Sequence, residues 1–284
     1  MKKYLSLVTF SHTIFAMPFA FIGFFLAITT TTHAFEWQKL LMMVMCMVFA
    51  RNSAMAFNRY LDKDIDAKNP RTKVRDIPAG RLTAKAALTF TLVNCALFIL
   101  TTWFINTLCF YLSPVALFVV LGYSFTKRFT ALCHLVLGLG LSLAPIGAYL
   151  VVTGEFALLP IFFSLSVLCW VSGFDIIYAL QDEDFDRAEN LHSIPAYLGK
   201  VNALRLSTAL HVLSAIFIAL PTIYTHVGWP YYVGILFFCS MLIYQHRLVK
   251  PNDLSRVNFA FMTTNGIASV VFAVFFLIDR LWVR

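Results

Sequence analysis

The chain has 284 residues, of which 60% are hydrophobic and only 13% charged, whereas a soluble domain carries roughly 25% charged and 45–50% apolar residues. With a mean hydropathy of +0.78, this excludes an ordinary water-soluble domain. The net charge of +8 calls for no nucleic-acid partner, because basic loops lying against anionic lipid account for it.

Apolar runs recur over residues 5–29, 38–57, 85–105, 107–124, 132–152, 156–178, 203–225, 230–246 and 257–279. Most reach the roughly 18 residues needed to cross a bilayer as a helix. They are too long and too continuous for barrel strands, which alternate over about ten residues. Backbone polar groups in lipid must be satisfied internally, so the fold class is all-α, a polytopic membrane bundle of nine transmembrane helices forming a single domain over 1–284. The first run follows Met1, Lys2 and Lys3 and shows no small-residue cleavage site, so it reads as a membrane helix rather than a secretory signal. The third and fourth runs are parted only by a short polar break at Asn106 and Thr107. All but three of the 22 Lys and Arg residues (Lys39, Arg280 and Arg284) lie at the amino terminus or near the connections after runs two, four, six and eight. That asymmetry predicts a cytoplasmic amino terminus, an external carboxyl terminus and residence in a bacterial inner membrane. The six cysteines sit singly inside apolar runs and read as small hydrophobic packing groups.

Two of the cytoplasmic connections, about 58–83 and 181–202, are long and polar, and each opens with acids at helical spacing. In the first, Asn58, Asp62 and Asp66 are spaced four apart, so a helix continuing from run two would carry them as one stripe. In the second, Asp182 and Asp186 repeat the spacing, and Tyr178 and Asp175 extend the same face back toward the membrane. The chain therefore divides into two loosely equivalent halves, about 1–128 and 129–284, each with a span running into a carboxylate cluster. Like charges four apart weaken a helix, so two such stripes call for a cation. Hard oxygen ligands without histidine or cysteine favour Mg²⁺, held by Asn58, Asp62, Asp66, Asp182 and Asp186 together with substrate phosphates. Arg71 and Arg75 follow the first stripe, and Lys127 and Arg128 follow run four after Tyr123. Arginines hold phosphate oxygens in paired hydrogen bonds. Carboxylates, magnesium and arginines together fit a diphosphate that leaves during reaction. Asp175 lies within the apolar end of run six, where an ionisable residue is costly and usually functional.

These clusters resemble the paired motifs of the UbiA superfamily of intramembrane prenyltransferases, NDxxDxxxD and DxxYxxxDxxxD. Asn58, Asp62 and Asp66 match the first; Asp175, Tyr178, Asp182 and Asp186 match the second. Pro70, Arg71, Thr72, Arg75, Pro78 and Gly80 resemble the loop that follows the first motif, and Tyr123 with Lys127 resembles a YxxxK motif. Two positions depart: Arg59 stands where many members have Asp, and Asp76 replaces the common Pro after Arg75. The resemblance covers essentially the whole chain. It implies transfer of a polyprenyl chain from polyprenyl diphosphate to an aromatic acid. Asp62, Asp66, Asp175, Tyr178, Asp182 and Asp186 are then expected in catalysis. Asn58, Arg51, Arg71, Arg75, Tyr123, Lys127, Arg128 and Gln181 are expected to hold substrates. Magnesium and the basic residues would stabilise the departing diphosphate, and the Tyr178 ring would shield the allylic cation.

Arg51 lies in run two, seven residues before Asn58, and so on the same face but deeper. It is positioned for a benzoate carboxylate, or else for an internal acid or carbonyl. His12 and His134 are further polar groups in apolar runs, for which satisfied packing is the favoured role. Both lie in segments that resemble the branch acting on 4-hydroxybenzoate, the acceptor expected for a ubiquinone or menaquinone route. Dihydroxynaphthoate, homogentisate and haem are alternative acceptors. A secondary transporter would instead carry polar groups near the middle of several spans.

Overall fold

The computed structural model describes residues 15–282. The calls on Met1, Lys2, Lys3, His12 and Arg284 therefore lie outside the described residues. The described chain is helical with no β-strand, and nine helices build the bundle: α1 (Met17–Thr30), α2 (Trp37–Leu61), α3 (Ala84–Trp103), α4 (Thr107–Thr126), α5 (Cys133–Thr153), α6 (Leu158–Ala179), α7 (Ile194–Ala219), α8 (Trp229–Leu248) and α9 (Asn265–Trp282). Seven helical stretches among the described residues are long and apolar enough to cross a membrane. The described part of α1 has 14 residues, and α8 is not among the seven. Both nonetheless pack against other helices of the bundle, α1 on α5 and α8 on α9.

Local chemistry sets the ends. Asn106 parts α3 from α4: its Oδ1 accepts from the Cys109 N–H at 2.8 Å, and its Nδ2 donates to the Leu150 carbonyl at 2.8 Å. The polar break seen in the sequence is thus a helix cap that also ties α4 to α5. Thr83 and Ser193 cap α3 and α7 in the same way, accepting from Ala86 and Ala196. Gly154 closes α5 at φ 67°, a left-handed conformation that glycine adopts without penalty. The seventh helix begins well before the expected residue 203, at Ile194. Gly199 breaks it at φ 73°, ψ 164°, which apolarity alone does not reveal.

Helix α6 is central. It lies along α5 and α7 and touches α1. Phe19 of α1, Trp170 and Phe174 of α6, Phe238 of α8 and Phe272 of α9 interlock there, all buried. The Trp170 indole N–H donates to Asn265 Oδ1 at 3.0 Å. Lipid tails are as apolar as these side chains, so burial alone does not drive helices together. Close packing and interhelical hydrogen bonds do. Ser166 and Ser214 pair at 2.9 Å between α6 and α7, and Ser207 donates to the Gly173 carbonyl at 2.7 Å. Helices α1 and α5 approach closely, and a Cβ on Gly23 would lie 2.0 Å from the Pro145 carbonyl oxygen.

That contact is backbone, so it cannot be relieved by rotating a side chain. Gly23→Ala should force α1 off α5 and cost on the order of 1–3 kcal/mol or more. A lowered unfolding temperature of the detergent-purified variant is the expected result; an unchanged melt would mean the two helices do not meet there.

Candidate active site

The two acidic stripes come together at one end of the bundle, on helix ends that break where the acids begin. Helix α2 stops at Leu61. Asp62 adopts φ −90°, ψ 8°, and a short helix, Lys63–Lys68, resumes. The Asp66 N–H still donates to the Asp62 carbonyl at 2.7 Å, so the four-residue register survives the break. Likewise α6 ends at Ala179, a 3-10 turn carries Leu180–Asp182, and a short helix, Glu183–Ala188, follows. Each stripe is therefore a helix end plus a separate turn of helix, not one continuous rod.

Four of the five motif carboxylates, Asp62, Asp66, Asp182 and Asp186, meet a lysine or arginine. Arg71, from the loop after the first stripe, clasps Asp182 of the second, with Nε 3.0 Å from Oδ1 and Nη2 2.5 Å from Oδ2. Its third nitrogen donates to the Tyr178 hydroxyl at 2.8 Å, and the guanidinium lies 5.1 Å from that ring's centroid. Asn69 adds a further donor to Asp182 at 3.1 Å. Burial works against the charge on Arg71, but the hydrogen bond and charge of Asp182 outweigh it and raise its pKa above the usual value. Arg75 donates to Asp66 at 2.6 Å. Arg128 reaches Asp62 at 2.9 Å and also the Leu61 carbonyl, while Asn58 donates to the other Asp62 oxygen at 2.9 Å. Lys127 stands 3.8 Å from Asp186. Burial raises the pKa of Asp62, against the opposing pull of Lys127 and Arg128.

The carboxylates thus do not converge on one point, and among the described residues no three acids, histidines or cysteines cluster as a ready-made metal site. Two buried oxygens of the motif carboxylates nevertheless have no hydrogen-bond partner: Asp66 Oδ2 and Asp186 Oδ1.

A cavity of about 290 Å³ runs among these groups, lined by Arg51, Asn58, Arg59, Arg71, Arg75, Tyr123, Lys127, Asp175, Tyr178, Asp182 and Asp186. Asp62, Asp66 and Arg128 are not in its wall; they stand behind it, with Asp62 and Asp66 buried. Gln181 is not in the wall either, since its side chain turns back to the Tyr178 carbonyl at 3.1 Å. A second, apolar cavity of about 400 Å³ extends between α2, α4 and α5, past Met43, Met47, Leu112, Val119 and Leu141. Arg51 and Tyr123 line both cavities, and Arg51 Nε is buried there without a hydrogen-bond partner. Tyr178 stacks on Phe261 with centroids 4.2 Å apart. Phe261 sits in a π-helical turn, Ala260–Thr264, that leads into α9; such turns often mark functional sites.

Residues 16–267 match the UbiA prenyltransferase family. The chain belongs to that family. A 4-hydroxybenzoate octaprenyltransferase of Tolumonas auensis is 31% identical over 242 residues, 83% of this chain and 82% of the relative. One from Vibrio parahaemolyticus is 28% identical, covering 83% of each. An apo UbiA homologue from Aeropyrum pernix K1 superposes with a TM-score of 0.85 at 30% identity, over 95% of this chain and 98% of that one. A UbiA homologue from Archaeoglobus fulgidus bound to GPP and Mg²⁺ shares the fold, with a TM-score of 0.74 at 20% identity, over 97% and 98%. This UbiA protein is a membrane-embedded prenyltransferase.

Sequence reasoning missed three residues here. Asn69 anchors Asp182 from 113 positions away. Arg59, noted only as the loss of an acid, brings another cation to the cavity wall. His134, read as a packing group, has Nδ1 2.6 Å from Asp175 Oδ2. An ionisable residue inside an apolar span was the available signal for His134, but its partner lies on another helix. The departure at Asp76 is structural, because its carboxylate receives the Arg81 Nε–H at 2.8 Å and holds the loop.

Arg71 serves Asp182 and Tyr178 at once through a planar fork that an ammonium cannot reproduce. Arg71→Lys should therefore lower prenyl transfer at least about tenfold despite the conserved charge. Wild-type turnover in that variant would reduce Arg71 to a generic cation.

Proposed function

We propose that this chain transfers a polyprenyl group from polyprenyl diphosphate to 4-hydroxybenzoate in quinone biosynthesis. The observation that carries the reading is the pair of adjoining cavities. A cationic one suits a diphosphate, an apolar one suits an isoprenoid tail, and a buried arginine with an unused donor stands where they meet. Naming of the relatives as 4-hydroxybenzoate octaprenyltransferases supports the same acceptor. Arg51 is then the ligand of the acceptor carboxylate, which supplies the anion a buried guanidinium requires.

The residues present fit Mg²⁺. Asn58, Asp62, Asp66, Asp182 and Asp186 offer only hard oxygen donors, and Asp66 Oδ2 and Asp186 Oδ1 are buried without a hydrogen bond, as oxygens kept for a further ligand would be. The Mg²⁺ and GPP bound by the Archaeoglobus homologue support the same choice. When bound, the ion supplies positive charge against the diphosphate leaving group.

The chain's own residues do the rest. Arg59, Arg71, Arg75 and Lys127 hold the diphosphate oxygens while the allylic C1–O bond breaks and its electron pair leaves with the diphosphate. The Tyr178 face, fixed by Phe261 and Arg71, lies beside the developing cation. The ring carbon next to the acceptor hydroxyl, activated by it, bonds to C1. Asp175 takes the proton that the ring then loses. We infer nine membrane crossings in two loosely equivalent halves, with the amino terminus and the acidic loops on the cytoplasmic side and the carboxyl terminus outside. The charge asymmetry of the loops supports this placement.

Purified protein given Mg²⁺, a labelled polyprenyl diphosphate and a panel of aromatic acids should prenylate 4-hydroxybenzoate and stop when EDTA is added. Asp182→Asn should lower kcat by about a hundredfold or more. Arg51→Ala should instead raise the acceptor KM by about tenfold to a hundredfold with a smaller effect on kcat. An unchanged acceptor KM removes Arg51 from carboxylate binding, and turnover that survives EDTA removes the metal.

A further inference from the structure

His134 stands in the first turn of α5 with its side chain only 4% exposed. Both ring nitrogens are engaged. Nδ1 lies 2.6 Å from Asp175 Oδ2 on α6, and Nε2 lies 3.3 Å from the backbone nitrogen of Ile194, the first residue of α7. A backbone N–H only donates, so Nε2 must be the acceptor. The ring proton is then on Nδ1, where it can only be given to Asp175. The Ile194 N–H is one of the donors that a helix start leaves without an intrahelical partner, and the histidine satisfies it.

The neighbouring backbone holds this arrangement in place. The His192 N–H donates to the Lys127 carbonyl at 2.7 Å, and Ser193 caps α7 by accepting from Ala196. The end of the second acidic loop is thereby pinned to the end of α4. His134, Ser193 and Asp175 all line the cavity that holds Asn58, Tyr123 and Tyr178. Asp175 keeps 21% of its side chain exposed while His134 is sealed behind it. That is how a carboxylate is arranged when one oxygen is held from behind and the rest is presented to a substrate.

We propose that His134 is the positioning residue of the proton acceptor: its tautomer, set by Ile194, holds Asp175 aimed at the aromatic acceptor. The role rests on the acceptor chemistry proposed above. As the new carbon–carbon bond forms, the electron pair of the ring C–H bond restores aromaticity. Its proton passes to the Asp175 carboxylate, and afterwards to water or to the released diphosphate. His134 keeps its Nδ1 proton throughout.

The full-length protein in detergent is assayed with 4-hydroxybenzoate and a polyprenyl diphosphate as wild type, His134→Leu and His134→Asn. The leucine variant should lose about tenfold to a hundredfold in kcat, the range seen when a group orienting a reactive residue is removed, with both KM values within about twofold. Asparagine places an amide N–H near the position of Nδ1, so it should recover the larger part of kcat. A residue that merely fills space would give the opposite order, with leucine the better substitute. Nitrogen-15 histidine spectra of the wild type, assigned by the signal lost in His134→Asn, should show the proton on Nδ1 and an acceptor Nε2. Wild-type kcat in His134→Leu, no recovery in His134→Asn, or a proton found on Nε2 each overturns the proposal. A wild-type enzyme that prenylates no aromatic acid overturns the acceptor assignment itself, and that failure is visible in the wild-type arm alone.

Discussion

The constraint on which this structure depends is the cost of holding several carboxylates at the edge of a low-dielectric bundle. Moving an ion out of water costs several kcal/mol even after relaxation, and partners recover that cost only when geometry and hydrogen bonding are good. Asp62, Asp66, Asp182 and Asp186 each stand against Arg128, Arg75, Arg71 or Lys127. The partner of Asp182 comes from the other half of the chain, 111 positions away. Charge balance therefore folds the two loops over each other. The same charges that would repel a single loop bind the two together, so the roof of the site is assembled by the groups proposed to meet the substrate.

This gives the cations two competing duties. A diphosphate entering the cavity brings negative charge to Arg71, Arg75 and Lys127, all of which are already committed to carboxylates. If both acids and phosphates are to stay, more positive charge is needed. Two features answer that need. Arg59 lies in the wall where an acid would have made the balance worse, and Asp66 Oδ2 and Asp186 Oδ1 accept no hydrogen bond. The departure of this chain from the common first motif therefore places a positive charge of the protein's own in the cavity wall.

The features legible in the sequence are those set by local periodicity. Helical spacing brought Asp175, Tyr178 and Asp182 to one cavity wall, and Arg51 to the same face as Asn58 but deeper, as the residues now lie. Breaks within the stripes were not legible, because Asp62 and the 3-10 turn at Leu180–Asp182 retain the four-residue register that a continuous helix would give. Tertiary partners were not legible either. Nothing near Gln181 in the chain shows that its amide turns to the Tyr178 carbonyl and leaves the cavity, and nothing near Asn69 shows that it reaches Asp182. Such contacts depend on how two loops cross, and one sequence contains no record of that crossing.

His134 and Arg51 sharpen the same distinction. Both are polar residues in apolar helices, yet they differ in what surrounds them. His134 has a protein partner at each nitrogen, so its position and tautomer are fixed before any substrate arrives. Arg51 has a buried nitrogen with no partner, at the junction of a cationic and an apolar space. A group already satisfied can orient a neighbour but gains nothing from binding a ligand, whereas an unsatisfied one gains most when an anion fills the gap. The proposed division of labour in this site follows from that asymmetry: it gives the fixed imidazole to the chemical step, and the open guanidinium to recognition of the acceptor.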